Sequence, residues 1–267
     1  MTSAVGGKSA LIGHSGFVGG TLLRARRFDD LYNSSNIADM AGRSYDLVVC
    51  AGVSAAKWLA NKDPDKDRAD IARLTEVLER VDAREFILIS TIDVYPDPAS
   101  GADETAPIDA SANHAYGANR YRLEEWVKAR FPGTRIVRLP ALFGEGLRKN
   151  AVYDLLNDNA TSSINPLASF QWYPMRRLAL DLERVRSADL RLVNLFGEPL
   201  PMREVKDAFF PAASLGPEAH PAPHYDLRTI HAELFGGSGG YVVDATTSLG
   251  EMARFVAAER RRLSARG

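Results

Sequence analysis

One cysteine, Cys50, stands in a chain of 267 residues, so no intrachain disulfide framework can form and the composition fits a reducing compartment. It lies inside the apolar run Leu47-Val48-Val49-Cys50-Ala51 and reads as a buried small hydrophobe, not a reactive thiol. No apolar stretch approaches the roughly 20 residues that a helix needs to span a bilayer. The opening segment, Met1 to Lys8, is short and polar and has no signal-peptide core, so the expected location is the cytoplasm. Charge of one sign is lacking as well. The 33 Lys and Arg against 34 Asp and Glu leave a formal net charge of −1, with no field to draw nucleic acid or an anionic membrane. There is no internal repeat, no low-complexity tract and no Cys/His cluster at metal-ligand spacing, so no metal is expected. What remains is ordinary for a globular protein, with 45% hydrophobic and 25% charged residues. The length fits one large α/β domain or one domain carrying a smaller lobe.

Short apolar runs alternate with helical stretches, which implies a parallel sheet covered on both faces. Strands are expected at Ser9–Gly13, Leu31–Ser34, Asp46–Ala51, Glu85–Ser90, Thr134–Leu139 and Arg191–Phe196. Between them the spacing predicts helices over Phe17–Arg27, Pro64–Val81 and Asn113–Arg130. Past Pro140 the pattern loosens. Helices are expected near Lys149–Asn157 and Met175–Ala188, an irregular stretch over Pro211–His224 with its four prolines, and a closing amphipathic helix over Thr247–Leu263. The expected fold is therefore α/β, a doubly wound parallel Rossmann sheet with a small C-terminal substrate-binding lobe. Residues 1–140 form its dinucleotide-binding half. Residues 141–267 form a mixed region that supplies the lobe and returns to the sheet at about 175–196.

Glycines 13, 16 and 19 fall between a strand and a helix, in Gly13-His14-Ser15-Gly16-Phe17-Val18-Gly19. The first permits a tight turn, the second lets a pyrophosphate approach the backbone, and the third lets the helix pack against the sheet. Phosphates would then rest on unpaired N–H groups at the helix start. A plain tight turn between strand and helix would use glycines as well, and only the strand–turn–helix context favours the dinucleotide. After the second strand, where a carboxylate would grip an adenine ribose, stands Tyr32-Asn33-Ser34-Ser35-Asn36. Small hydroxyl and amide groups accept a 2′-phosphate where a carboxylate would repel it, which tilts the cofactor from NAD towards NADP; the same residues would also build an ordinary turn.

Five elements in order resemble the extended short-chain dehydrogenase/reductases, the NAD-dependent epimerase/dehydratase family, over roughly residues 9–200. They are Gly13 to Gly20, Val49-Cys50-Ala51-Gly52, Leu88-Ile89-Ser90-Thr91-Ile92-Asp93-Val94-Tyr95, Ala115-Tyr116-Gly117-Ala118-Asn119-Arg120, and Val137-Arg138-Leu139-Pro140-Ala141-Leu142-Phe143-Gly144. The resemblance implies that Thr91 polarises a substrate oxygen and that Tyr116 gives or takes the proton as hydride moves. It also implies cofactor contacts at Gly13, Ser15, Gly16, Phe17, Val18, Gly19, Ser34, Ser35, Ala51, Gly52, Ser90, Tyr116, Arg120, Pro140 and Leu142. A phenol titrates near 10, so a neighbouring cation helps it act at neutral pH. The family places a lysine four residues after the tyrosine, where this chain has Arg120. The two share a helix face, and Arg120 is expected to hold the nicotinamide ribose and lower the Tyr116 pKa. Asp70 stands where the family often carries an asparagine.

Family members bind substrate between the cofactor and the C-terminal lobe, and many take nucleotide sugars. Candidate substrate contacts are Lys57, Trp58, Asp93, Arg148, Lys149 and Asn150, with Gln171-Trp172-Tyr173 and Arg176-Arg177 as a place for a base to stack. Asp93 and His114 read first as cap or loop residues, with an accessory acid/base role as the alternative. The expected function is a nicotinamide-dependent oxidoreductase acting on a carbonyl or alcohol of a nucleotide-linked sugar. An epimerase retaining NAD and a non-catalytic cofactor-sensing protein are the alternatives. The expected partner is a small molecule, with homodimerisation through helices 64–81 and 113–130 open.

Overall fold

The fold is taken from a computed structural model that describes residues 7–265. In chain order the elements are β1 (Ser9–Ile12), α1 (Phe17–Ala25), β2 (Asp30–Tyr32), β3 (Ser44–Cys50), α2 (Lys57–Lys62), α3 (Pro64–Leu78), β4 (Asp82–Thr91), α4 (Ala115–Arg130), β5 (Thr134–Leu139), β6 (Ala141–Phe143), α5 (Ala151–Asn157), β7 (Ser169–Pro174), α6 (Leu178–Ser187), β8 (Leu192–Asn194), β9 (Pro199–Pro201), α7 (Met202–Phe209) and α8 (Ala245–Ser264). They form two compact units. The first holds the chain up to Pro96, Pro107–Arg138 and Val185–Leu192; the second holds Asp97–Ala106, Leu139–Arg184 and the chain from Val193 onward.

A six-stranded sheet runs in the order β2-β1-β3-β4-β5-β8, with β1 parallel to both β2 and β3, and β3 parallel to β4. The order reverses direction between β1 and β3, the switch point at which doubly wound sheets bind ligands beyond their strand ends. Strands buried on both faces read as continuous apolar runs, as Leu47-Val48-Val49-Cys50 does. Ala10, Ile12, Val48 and Leu88 share one core with Leu123 and Val127 of α4, and Phe86 stacks on Phe131 at 4.4 Å. The helix α3 starts where expected because Asp63 accepts the Lys66 N–H and Pro64 fills the first turn. It ends at Leu78, short of the expected Val81, and β4 begins at Asp82 to pair with Ser44. The expected strand Leu31–Ser34 stops at Tyr32, since the Asn33 carboxamide accepts the Ser35 N–H at 2.8 Å and turns the chain.

The second unit contains what the sequence pattern did not disclose, a three-stranded sheet ordered β6-β7-β9, parallel between β6 and β7 and antiparallel between β7 and β9. It packs Phe143, Trp172 and Leu200 against Met252 and Phe255 of α8. This overturns the base-stacking expectation for Gln171-Trp172-Tyr173. All three side chains are buried in β7. The Tyr173 hydroxyl donates to Asp181, and the Gln171 amide donates to the Gly197 and Leu227 carbonyls. Arg176 pairs with Glu251, and Arg177 pairs with Asp181. Residues 211–224 are irregular apart from single bridge contacts. Among the described residues no helix is long and apolar enough to cross a membrane.

Candidate active site

Every residue of the central polar cluster belongs to the first unit. Thr91 ends β4, and its Oγ1 accepts the Asp93 N–H at 3.2 Å, capping the single helical turn Ile92–Val94. Asn113 then lashes the start of α4 to this turn, donating from Nδ2 to the Asp93 and Val94 carbonyls at 2.9 Å each. Gly117 makes the approach possible, because a Cβ there would collide with the Asp93 carbonyl and the Asn113 side chain. The expected helix start at Asn113 therefore moves to Ala115, with Asn113 spent on the lashing. His114 caps the helix, its Nδ1 accepting the Gly117 N–H at 3.1 Å. That bond assigns the imidazole proton to Nε2.

Packed this way, the Tyr116 phenol faces the Thr91 hydroxyl, which favours its ionised form. Tyr116 is only 7% exposed, and Asn61 of α2 accepts its N–H at 2.9 Å. Burial acts most strongly on the phenol and pushes it above its ordinary value; Arg120 pulls it down, Asp93 adds to the rise, and Thr91 and Lys57 oppose it. The cation acts in the expected direction, and desolvation outweighs it.

Arg120 lies with its guanidinium 4.0 Å from the centroid of the Tyr116 ring. One terminal nitrogen pairs with Asp67 of α3 and the other donates to the Ser54 carbonyl. Asn119 also donates to Asp67, at 2.8 Å. Nε is buried and has no acceptor among the described residues. Asp70, the residue placed at the family's asparagine position, points away. It is half-exposed and pairs with Lys66 and Arg73, while the buried acid of α3 is Asp67. Asp67 was legible in principle, since it shares one helix face with Ile71, Leu74 and Leu78, and a carboxylate on an apolar stripe demands a partner.

A second polar group adjoins Thr91. Lys57 Nζ lies 2.6 Å from Asp93 Oδ1, and His114 Nε2 lies 3.9 Å from the same oxygen. Burial, then Lys57, holds the imidazole below its ordinary value, with Asp93 opposing. The neighbouring Trp58 is 70% exposed. Behind the strand, the Ser90 hydroxyl donates to Glu124. Glu124 receives Arg138 bidentately, from Nε at 3.0 Å and a terminal nitrogen at 2.6 Å, and Arg138 donates onward to the Tyr95 hydroxyl at 2.8 Å.

The glycine turn lies at the strand ends of β1 and β3. A Cβ on Gly13 (φ +86°) would strike the Ala51 carbonyl, and one on Gly19 would strike the Gly13 carbonyl. A Cβ on Gly16 would meet only the Gly13 carbonyl, at 3.3 Å. Packing therefore requires Gly13 and Gly19, whereas Gly16 keeps space over the start of α1. That end has no side-chain cap and no acidic residue in its first turn. With the unsatisfied Arg120 Nε, this open helix start beside Ser15, Phe17, Val18 and Gly52 fits a dinucleotide. Gly16→Ala is expected to leave thermal unfolding nearly unchanged and to weaken dinucleotide binding by about tenfold or more. Gly19→Ala is expected to destabilise by about 1–3 kcal/mol. Unfolding and fluorescence titration of both variants check the contrast.

Beyond β2, Ser34 and Ser35 are exposed, and Asn33 Nδ2 lies 3.2 Å from His14 Nε2, tying this turn to the glycine turn. The nearest carboxylate on the strand, Asp30, is engaged by the Tyr45 hydroxyl at 2.7 Å and by Lys8 and Arg43. Pro140, Leu142, Arg148, Lys149 and Asn150 fall in the second unit. Asn150 caps α5, its Oδ1 accepting the Val152 and Tyr153 N–H groups and its Nδ2 donating to the Leu142 carbonyl. No group of three or more His, Cys, Asp or Glu that could hold a metal ion occurs among the described residues.

No curated protein matches the chain. Among solved structures, it is similar to a UDP-N-acetylglucosamine 4-epimerase from Methanobrevibacter ruminantium in complex with UDP-N-acetylmuramic acid, at 12% identity and TM-score 0.72, with 95% of this chain and 99% of that one covered. A dTDP-4-dehydrorhamnose reductase from Bacillus anthracis in complex with NADP aligns at 14% identity and TM-score 0.71, covering 96% and 100%. An NAD-dependent NDP-hexosamine 5,6-dehydratase involved in tunicamycin biosynthesis aligns at 18% identity and TM-score 0.69, covering 92% and 98%. These likenesses establish a shared fold. The family model described as NAD dependent epimerase/dehydratase matches residues 27–163, just over half of the chain. With that stretch running through Thr91, Tyr116 and Arg120, the chain belongs to the NAD-dependent epimerase/dehydratase family.

Proposed function

We propose that this protein is an NADP(H)-dependent reductase of a carbonyl group on a nucleotide-linked sugar. The observation that carries the reading is the buried Tyr116 phenol facing Thr91, in the unit that holds an open helix start at the sheet's switch point. The reduced nicotinamide, when bound, supplies the hydride. The Thr91 hydroxyl would donate to the substrate's carbonyl oxygen, and the Tyr116 phenol would give that oxygen its proton as the carbon is reduced. A phenol pushed above its ordinary value is protonated at neutral pH, which suits carbonyl reduction better than alcohol oxidation. Arg120 Nε is a buried donor for a ribose hydroxyl, and the Asn33-Ser34-Ser35 turn directly after β2 favours a 2′-phosphate.

The test is to purify the protein without added nucleotide, identify what remains bound, and titrate NADPH and NADH by fluorescence. The expected result is an empty protein that binds NADPH reversibly and more tightly than NADH, and then oxidises it with a keto nucleotide sugar. Tightly retained NAD(H) would replace this reading with an epimerase. One observation favours a further reading, a cofactor-sensing protein without turnover: Asp67 and the Ser54 carbonyl occupy both ends of the Arg120 guanidinium. Tight NADPH binding with no oxidation by any keto sugar would decide for it.

A further inference from the structure

Arginine at position 120 raises a physical problem that its neighbours answer. A guanidinium is planar, permanently charged and larger than an ammonium, so beside a buried phenol it needs both a fixed plane and a counter-charge. The structure supplies both from α3 and from the turn after β3. Asp67 binds one end of the guanidinium, the Ser54 carbonyl binds the other, and Asn119 holds Asp67 in place from the same helix as Arg120. All three charged or amide side chains are buried, with Asp67 at 8%, Asn119 at 3% and Arg120 at 4% exposure. The guanidinium is thereby set against the Tyr116 ring, 4.0 Å from its centroid.

We propose that Asp67 is a positioning residue for the Tyr116 acid, holding Arg120 against the phenol ring and neutralising its charge so that the phenol keeps its proton. This rests on the reading of Tyr116 as the proton donor. The charged and titratable groups that face Tyr116 are Arg120 on its own helix, Asp93 after β4, Lys57 on α2 and His114 at the cap of α4. Asp67 is bonded to Arg120 and Asn119 and acts on the phenol through Arg120. If its carboxylate cancels that cation, removing the carboxylate alone acidifies the phenol. Removing both charges together then leaves the phenol where it started. A residue that merely props the helix would give neither result.

The experiment replaces Tyr116 by 3-fluorotyrosine, which brings the phenol into an accessible pH range and makes its 19F shift report this residue alone. Asp67→Asn keeps the acceptor for Arg120 and Asn119 and removes the charge. Its expected effect is a rise of about tenfold or more in the phenol's ionisation constant, one pH unit to the acid side. An unchanged or alkaline-shifted titration would overturn the proposal. Should Asp67→Asn not fold, the charge-free double variant Asp67→Asn/Arg120→Met serves instead. Its titration is expected within about twofold of the parent, and an alkaline displacement of about tenfold or more would overturn the proposal. The titration is read without turnover, so it remains distinct from failure of the functional reading, which full activity in Tyr116→Phe would reveal.

Discussion

Glu124→Ala is expected to remove about 3–5 kcal/mol of stability, the largest loss for any single replacement near the site. Glu124 is wholly buried and accepts the Ser90 hydroxyl and two nitrogens of Arg138, which is itself 2% exposed. Truncating the acid leaves a guanidinium in the core with the Tyr95 hydroxyl at 2.8 Å and no counter-charge. At roughly 2–4 °C per kcal/mol for a chain of this size, the unfolding midpoint should fall by about 6–20 °C. The double change Glu124→Leu/Arg138→Met removes both charges and is expected to recover most of the loss. Urea or thermal unfolding of the three proteins tests this. A loss under about 1 kcal/mol in Glu124→Ala would mean that water or a shifted side chain takes over the charge.

Tyr116→Phe is expected to lower turnover by about 10²–10⁴-fold while leaving NADPH affinity within a few-fold of the parent, because in the proposed reaction the phenol transfers the proton, and the ring that packs under Arg120 is retained. The parent's pH profile should carry the same signature. Burial raises the phenol above its ordinary value, so the proton donor stays loaded through neutral pH. Reduction should therefore run at a constant rate there and decline only above the usual tyrosine range. The readout is NADPH oxidation with keto nucleotide sugars from about pH 6 to 9, and full activity in the phenylalanine variant would sink the mechanism.

Much of this was legible in the chain because it is local. The turn Gly13 to Gly19 and the spacing of Thr91 and Tyr116 depend on strand alternation and one helix start, both encoded within a few residues. What the chain did not disclose is non-local. The strands β6, β7 and β9 have only three to six residues, two of them bearing prolines, and they form a sheet through partners far apart in sequence. Trp172 and Tyr173 accordingly read as a place for a base to stack, although they are core. Arg120 was visible as a departure from lysine, but its consequence depends on Asp67, which lies 53 residues earlier. Ser90 and Thr91 show the limit of chemical type alone. Both are hydroxyls, and only their opposite directions along β4 separate a core contact from a site residue.

That alternation has a consequence for how the protein can change. Ser90 is anchored to a buried carboxylate, whereas Thr91 faces Tyr116 from the other side of the strand. An insertion or deletion of one residue within β4 would therefore exchange two nearly identical side chains, and an inventory of hydroxyls at the strand end would look untouched. The Ser90–Glu124–Arg138 assembly works as a reading frame for the strand. It makes sideways drift of the segment that carries Thr91 expensive, so variation is easier to accumulate in the surrounding loops than in β4 itself.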